Sequence, residues 1–163
     1  MPIRGGLIVA SFKIEPAIPG DIPRLVDLLN DLFGIELDFT SDTSRQTNGL
    51  KLLIAEAAKS DRLMLVVARD EHGAVVAMGS AQLVISTAEG ALSAWIEDVV
   101  VHPDYRRQGV GKQLLGHLLA WAKMRGATRA QLVADKDNAG AELFYSGLGW
   151  QATQLAVRRR FIE

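Results

Sequence analysis

The segment best suited to do chemistry runs from Trp95 to Lys112 and reads as a strand, a short loop and a glycine-rich entry into a helix. The start of a helix has unpaired backbone N–H groups and the positive end of the helix dipole, so it favours phosphate. Gly109 and Gly111 would let a ligand approach the backbone closely, because neither carries a β-carbon. Three cationic side chains add local positive charge: Arg106, Arg107 and Lys112. This pattern predicts an anion-binding loop.

Two common nucleotide-binding motifs do not fit this loop. A Walker A motif places Ser or Thr after its lysine, whereas Lys112 is followed by Gln113. A dinucleotide fingerprint needs a third glycine where this chain has Leu114, and it belongs on the first strand of its domain. Both motifs therefore fail on spacing.

The elements that must position this loop alternate in type along the chain, in the order β-α-α-β-β-β-α-β-α-β. The predicted strands are Phe12–Ala17, Leu63–Ala68, Val75–Ile85, Ala91–Val101, Ala130–Ala134 and Gln151–Phe161. One helix is predicted between Asp21, its cap, and Gly34. The other predicted helices are Leu50–Lys59, Gly111–Met124 and Ala139–Ser146. The stretch Glu36–Asn48 is predicted to be a polar connection. The strand–helix–strand order in the second half implies parallel pairing and the central hairpins imply antiparallel pairing. We predict an α/β (α+β) fold with a mixed, mostly antiparallel sheet and helices on both faces.

Length and composition limit the classes of protein that the chain can represent. The 163 residues are about one domain's worth, so we predict a single domain over 1–163, with 1–11 as a candidate N-terminal extension. The formal charge of −1 gives no overall attraction to nucleic acid or an anionic membrane. The absence of cysteine excludes disulfides, thiolate catalysis and Cys-ligated metals. With no apolar run long enough to span a bilayer and no signal-peptide pattern, we expect a cytoplasmic protein.

The stretch Arg106–Gly111 has the pattern Arg/Gln-x-x-Gly-x-Gly/Ala, and further features lie on both sides of it. These are Val101 and Pro103 before the loop, and Asn138, Phe144–Tyr145 and Gly149–Trp150 after it. In these features and their spacing the chain resembles the GNAT (Gcn5-related N-acetyltransferase) superfamily. The resemblance spans roughly 12–161 and includes the order of elements. It implies a GNAT fold with a splayed parallel strand pair and an acetyltransferase activity.

The resemblance implies acetyl-CoA as the acyl donor and direct attack of a neutral amine on its thioester. The backbone after Asp98 would bind the pantetheine arm, with the amide of Val99 or Val100 on the acetyl carbonyl, and the loop amides would hold the diphosphate. The implied cofactor-binding residues are Val99, Val100, Val101, Arg106, Arg107, Gln108, Gly109, Val110, Gly111, Lys112, Asn138 and Tyr145. Tyr145 matches the family's general acid for the departing CoA thiolate. The alternatives are a core aromatic for Tyr145 and a helix cap for Asn138.

The base that deprotonates the amine is left open between two carboxylates. Glu97 is our first choice and Asp98 the second, although both also suit a solvated strand end. Strict alternation places Glu97 on the face of Val99, and a strand bulge would reverse that assignment. Family members that acetylate ribosomal proteins use a Glu on the following strand, where this chain has Val133. Three acidic residues lie where the family builds its acceptor pocket: Glu36, Asp38 and Asp42. They would suit a cationic amine, and the alternative is that they belong to a solvated loop.

The expected partners are a small-molecule or protein amine and, by family resemblance, a second copy of the chain in a homodimer. We expect no metal, because the histidines have no partner at ligand spacing: His72, His102 and His117. The run Arg158–Arg160 suits a charged sheet edge better than nucleic acid. The leading function is an N-acetyltransferase, and the alternatives are a non-catalytic acyl-CoA sensor and a nucleotide-binding protein.

Overall fold

Short apolar stretches form a central sheet, and amphipathic stretches form the helices beside it. The structure is a computed structural model that describes residues 11–36 and 38–162. The strands are β1 (Lys13–Pro16), β2 (Leu63–Arg69), β3 (Val75–Ser86), β4 (Ala91–Val101) and β5 (Ala127–Leu132). The helices are α1 (Ile22–Phe33), α2 (Thr43–Ala57), α3 (Val110–Met124) and α4 (Ala139–Gly147). The chain divides into two compact units, the first ending at Gln131 and the second beginning at Leu132.

The sheet has the strand order β1-β2-β3-β4-β5. The first four strands pair antiparallel in succession. Short turns connect β2 to β3 and β3 to β4, whereas α1 and α2 lie between β1 and β2. β4 and β5 are joined through α3 and form the parallel pair. The predicted fold class, a mixed and mostly antiparallel sheet with flanking helices, is confirmed.

Helices cover both faces of this sheet in the first unit. Met78 packs in a buried cluster with Leu28 of α1 and Leu50 of α2. The next residue, Gly79, faces the other way, because successive strand residues point to opposite faces. A β-carbon on Gly79 would lie 2.7 Å from the Cδ2 atom of Leu114 in α3. The helices α1 and α2 therefore cover one face and α3 the other.

The positions of two elements and the bonding of one cap differ from the sequence predictions. α2 begins at Thr43 rather than Leu50, because the Asp42 carboxylate accepts a hydrogen bond from the Arg45 amide and starts a helix inside the polar stretch. β5 lies at Ala127–Leu132 rather than Ala130–Ala134, and it is an edge strand instead of a buried one. The cap Asp21 is in place, but its carboxylate accepts from the Ile18 amide and binds Arg69 instead of bonding to α1.

The predicted strand Gln151–Phe161 is wrong, because this stretch is not paired as a strand. Its apolar side chains are open to solvent, with Leu155 88% and Phe161 80% exposed. A strand needs a neighbour whose backbone groups it can bond. The candidate extension over 1–11 falls outside the described residues except for Ser11, and the single-domain assignment stays a prediction. Among the described helices, none is both long and apolar enough to cross a membrane.

Candidate active site

A β-bulge near the end of β4 sets the orientation of the candidate carboxylates. Met78 pairs with Val100 and Ser80 pairs with Glu97, so two residues of β4, Asp98 and Val99, lie opposite the single residue Gly79. Asp98 takes the left-handed conformation, with φ of 54°. The bulge reverses the alternation, so that Glu97 shares a face with Val100 rather than Val99.

Asp98 is the unusual carboxyl group of this strand. Burial raises the pKa of Asp98 from 3.8 to about 6, with further contributions from the negative charges of Glu97 and Glu36. Glu97 is exposed, whereas Asp98 and Glu36 are half-buried. A carboxyl group with a pKa near 6 is mostly ionised at neutral pH and still accepts a proton more readily than an ordinary aspartate. Asp98 therefore fits the role of a general base better than Glu97 does.

The loop between β4 and α3 has an unusual backbone. Arg107 and Gly109 are left-handed, with φ of 62° and 84°. Gly109 is the N-cap of α3, and the first helical bond runs from the Gln113 amide to the Gly109 carbonyl at 3.1 Å. The first amides of a helix have no intrahelical acceptor. Left-handed turns that gather amides in this way form concave anion-binding sites.

Side chains of the loop divide into two groups. Arg106 donates from Nε to the Val101 carbonyl at 3.0 Å, and Gln108 donates from Nε2 to the Asp104 carbonyl at 2.9 Å, so both side chains hold the loop itself. Arg107 and Lys112 are exposed and can meet an anion. The loop thus presents amides and cationic groups together.

The end of β4 extends past its parallel neighbour. β4 has 11 residues and β5 has 6. The start of β5 lies beside the turn between β3 and β4, where the Thr128 hydroxyl donates to Glu89 at 3.1 Å. The His102 amide donates to Val76 in β3 at 2.8 Å, so the backbone groups of Val101 point to the opposite edge. β5 is five residues shorter than β4, so it cannot pair with β4 over its whole length.

The second unit carries the other two candidates. Asn138 is the N-cap of α4, and its Oδ1 atom accepts from the Ala141 amide at 3.0 Å. The cap interpretation of Asn138 is therefore observed, and its role in binding cofactor stays a prediction. Tyr145 is half-buried on α4, and its ring contacts Phe144 at 5.2 Å and Trp150 at 5.9 Å between centroids.

Sequence reasoning missed a pair of residues that support the loop. The Tyr105 hydroxyl donates to the Asp70 carboxylate at 2.8 Å, and this bond lowers the pKa of Asp70 and raises that of Tyr105. Tyr105 lies inside the loop segment, but nothing in the sequence links it to a turn 35 residues away. Of the acidic residues assigned to an acceptor pocket, Asp42 caps α2 instead. No group of described residues could hold a metal ion.

Comparisons with known proteins give a consistent picture. Residues 23–150 match the family model described as acetyltransferase (GNAT) family. A stretch of 91 residues is 31% identical to the [ribosomal protein bS18]-alanine N-acetyltransferase of Escherichia coli (strain K12), and covers 56% of each protein. The chain thus spans little more than half the length of that relative.

Solved structures resemble the chain over most of its length. A transcriptional regulator from Bacillus halodurans C-125 has a TM-score of 0.79 and 28% identity, over 93% of this chain and 100% of that one. A predicted acetyltransferase from Clostridium acetobutylicum, solved with acetyl-CoA, has a TM-score of 0.70 over 92% of this chain and 96% of that one. At 20% identity the second likeness shows the fold alone.

Proposed function

Since this chain belongs to the acetyltransferase (GNAT) family, we propose that it transfers an acetyl group from acetyl-CoA to a primary amine. One observation carries the proposal: β4 holds a carboxyl group with a pKa of about 6 and leads directly into an anion-binding loop. The carboxyl group suits deprotonation of an amine, and the loop suits the diphosphate of coenzyme A. The two lie on one continuous segment, so a donor held by the loop would lie near the base.

The donor side fits coenzyme A by the chemistry of its groups. The loop amides from Arg107 to Lys112, gathered by two left-handed residues at the start of α3, suit a doubly charged diphosphate. The last residues of β4, from Val99 to Val101, would bind the amide groups of the pantetheine arm, which would add to β4 like a further strand. Acetyl-CoA would supply the activated acetyl group as a thioester.

On the acceptor side, Asp98 is the proposed general base. An amine that arrives as its ammonium form is attracted by Asp98 and by its acidic neighbours Glu97 and Glu36. Transfer of the ammonium proton to Asp98 leaves the neutral nitrogen that can attack a carbonyl. Glu97 is the alternative base. Either a small molecule or a protein amine can supply the ammonium group.

Tyr145 is the proposed general acid for the leaving thiolate. A free thiol has a pKa of about 8.5 and a phenol one of about 10, so a phenol already in place can protonate the sulfur at little energetic cost. This role is taken from the family resemblance, as is the homodimer that we propose. A cytoplasmic location is proposed from the sequence pattern alone.

A second candidate function is an acyl-CoA-binding regulatory module. It is favoured by one relative, since the Bacillus halodurans structure with 28% identity is described as a transcriptional regulator. Such a module would share the loop that binds the donor, but it would have no use for a proton acceptor on β4. The raised pKa of Asp98 therefore favours the enzyme.

Two measurements on the intact chain separate these functions. In a thermal shift assay acetyl-CoA should raise the melting temperature, while ATP and NAD should not. Release of coenzyme A should then be followed across a panel of small amines and peptide N-termini. Turnover with any amine identifies an acetyltransferase, whereas binding without turnover favours the regulatory module. No shift with acetyl-CoA would contradict both.

A further inference from the structure

Tyr105 lies at the point where the chain leaves β4 and enters the loop. It ends the short 3-10 turn Pro103–Tyr105 and is half-buried. Its ring meets Phe12 edge-on at 6.4 Å and His102 at 6.0 Å between centroids. The ring is therefore fixed by packing, which leaves the hydroxyl group in a defined position.

The partner of this hydroxyl is itself held by a turn. Oδ1 of Asp70 accepts the amides of His72 and Ala74, both at 2.9 Å, and so closes the turn between β2 and β3. Oδ2 of the same carboxylate accepts the Tyr105 hydroxyl at 2.8 Å. A hydrogen bond to a charged group that is held in place on its other oxygen is stronger and more directional than a neutral one.

This bond ties the loop to a different part of the fold. The side-chain bonds of Arg106 and Gln108 end on Val101 and Asp104, within the same segment. The Tyr105 bond instead reaches the β2–β3 turn, 35 residues away. The loop beyond it contains Arg107 in a left-handed conformation that a residue with a side chain adopts only when its surroundings hold it there.

We infer that Tyr105 and Asp70 are positioning residues for coenzyme A, because their hydrogen bond holds the amides of the loop in the arrangement that a diphosphate requires before the ligand arrives. The inference rests on the proposed function. A preformed site binds more tightly than one that must be ordered on binding. Loss of the bond should therefore weaken donor binding and leave the chemical step unchanged.

The test compares Tyr105→Phe with Thr128→Val. The second variant also deletes one hydroxyl that donates to a carboxylate, that of Glu89, but at the opposite end of β4. The readouts are the calorimetric Kd for coenzyme A, the KM for acetyl-CoA, kcat and stability in urea. For Tyr105→Phe, Kd and KM should rise about tenfold with kcat nearly constant, since a hydrogen bond to a charged group contributes that much or more. Thr128→Val should bind coenzyme A like the wild type.

Asp70→Asn provides an independent check in case Tyr105→Phe does not fold. Asparagine keeps an acceptor for the turn and a polar group beside the Tyr105 oxygen, so its Kd for coenzyme A should rise above that of the wild type by less than about tenfold. The folded variants could instead bind coenzyme A like the wild type and lose as much stability as Thr128→Val does. That result would show that the bond between Tyr105 and Asp70 is merely structural and would overturn the inference. Failure of the wild type to bind coenzyme A would contradict the proposed function itself.

Discussion

Replacing Asp98 with asparagine should make the protein more stable and less active. The folded state raises the pKa of Asp98 from 3.8 to about 6, mainly by burial, so folding favours the protonated form of this group. Its contribution to stability is complete below the unfolded pKa and is lost as the pH rises through about 6. Asparagine remains neutral at every pH, and it also tolerates the left-handed φ of 54° at this position.

The shift of about two pKa units sets the size of the effect. At about 1.4 kcal/mol per unit, ionisation of Asp98 costs the native state up to about 3 kcal/mol at neutral pH. Asp98→Asn should gain up to this amount at pH 7.5 and only about 0.5 kcal/mol at pH 4. Paired urea denaturation curves at the two pH values measure the difference. Glu97→Gln is the control, because it removes a neighbouring charge and leaves the Asp98 carboxyl in place.

The pH profile of kcat/KM tests the catalytic half of the same prediction. If Asp98 accepts the proton of a bound ammonium group, kcat/KM should fall tenfold per pH unit below about 6 and stay level from there up to the pKa of the amine. Without the base, kcat/KM should be lower by about 10²–10⁴ and rise steadily with pH, because free neutral amine becomes the reactant. Two results would refute the reasoning. One is a wild-type kcat/KM that also rises steadily with pH at neutral pH. The other is equal stability of the wild type and Asp98→Asn at pH 7.5.

Three further substitutions test other parts of the site. Tyr145→Phe should lower kcat by about 10²–10⁴ with little change in coenzyme A affinity, and an unchanged kcat would remove Tyr145 from the mechanism. Gly109→Val should weaken coenzyme A binding at least about tenfold, because a β-branched residue at φ of 84° is strained by about 1–2 kcal/mol. Gly116→Ala, at an exposed glycine in the helix, is its control. Normal calorimetric binding of coenzyme A by Gly109→Val would exclude the loop assignment. Gly79→Ala should lower stability in urea by about 1–3 kcal/mol, because its methyl group would lie 2.7 Å from Leu114. An unchanged stability would contradict the close packing of α3 on the bulge.

Features encoded by neighbouring residues were predictable from the sequence. β4 occupies the predicted residues, Ala91–Val101, and α3 ends at the predicted Met124. The loop was predictable because its glycines act locally: Gly109 takes a positive φ that its lack of a β-carbon allows.

Features that depend on distant partners were not predictable in this way. The polar residues after Asp42 carry no apolar period. The cap, the buried Gln46 that donates to Asn30 of α1, and the packing of the later part of α2 stabilise them as a helix. The stretch Gln151–Phe161 is predicted as a strand, but it is not paired with any strand in the described residues. The link between Tyr105 and Asp70 joins two turns that are remote in sequence.

The face on which the carboxylates lie depends on a helix elsewhere in the chain. α3 packs so closely on the sheet that β3 has room only for glycine at position 79, where a β-carbon would also lie 3.3 Å from Leu118. β4 carries its extra residue opposite this glycine, and Asp98 turns into the left-handed region there. As a result Glu97 and Val100, which are three positions apart, lie on the same face of the sheet, whereas strict alternation would place them on opposite faces. The burial that raises the pKa of Asp98 depends on tertiary packing, so the sequence of β4 by itself could not choose between Glu97 and Asp98 as the proposed base.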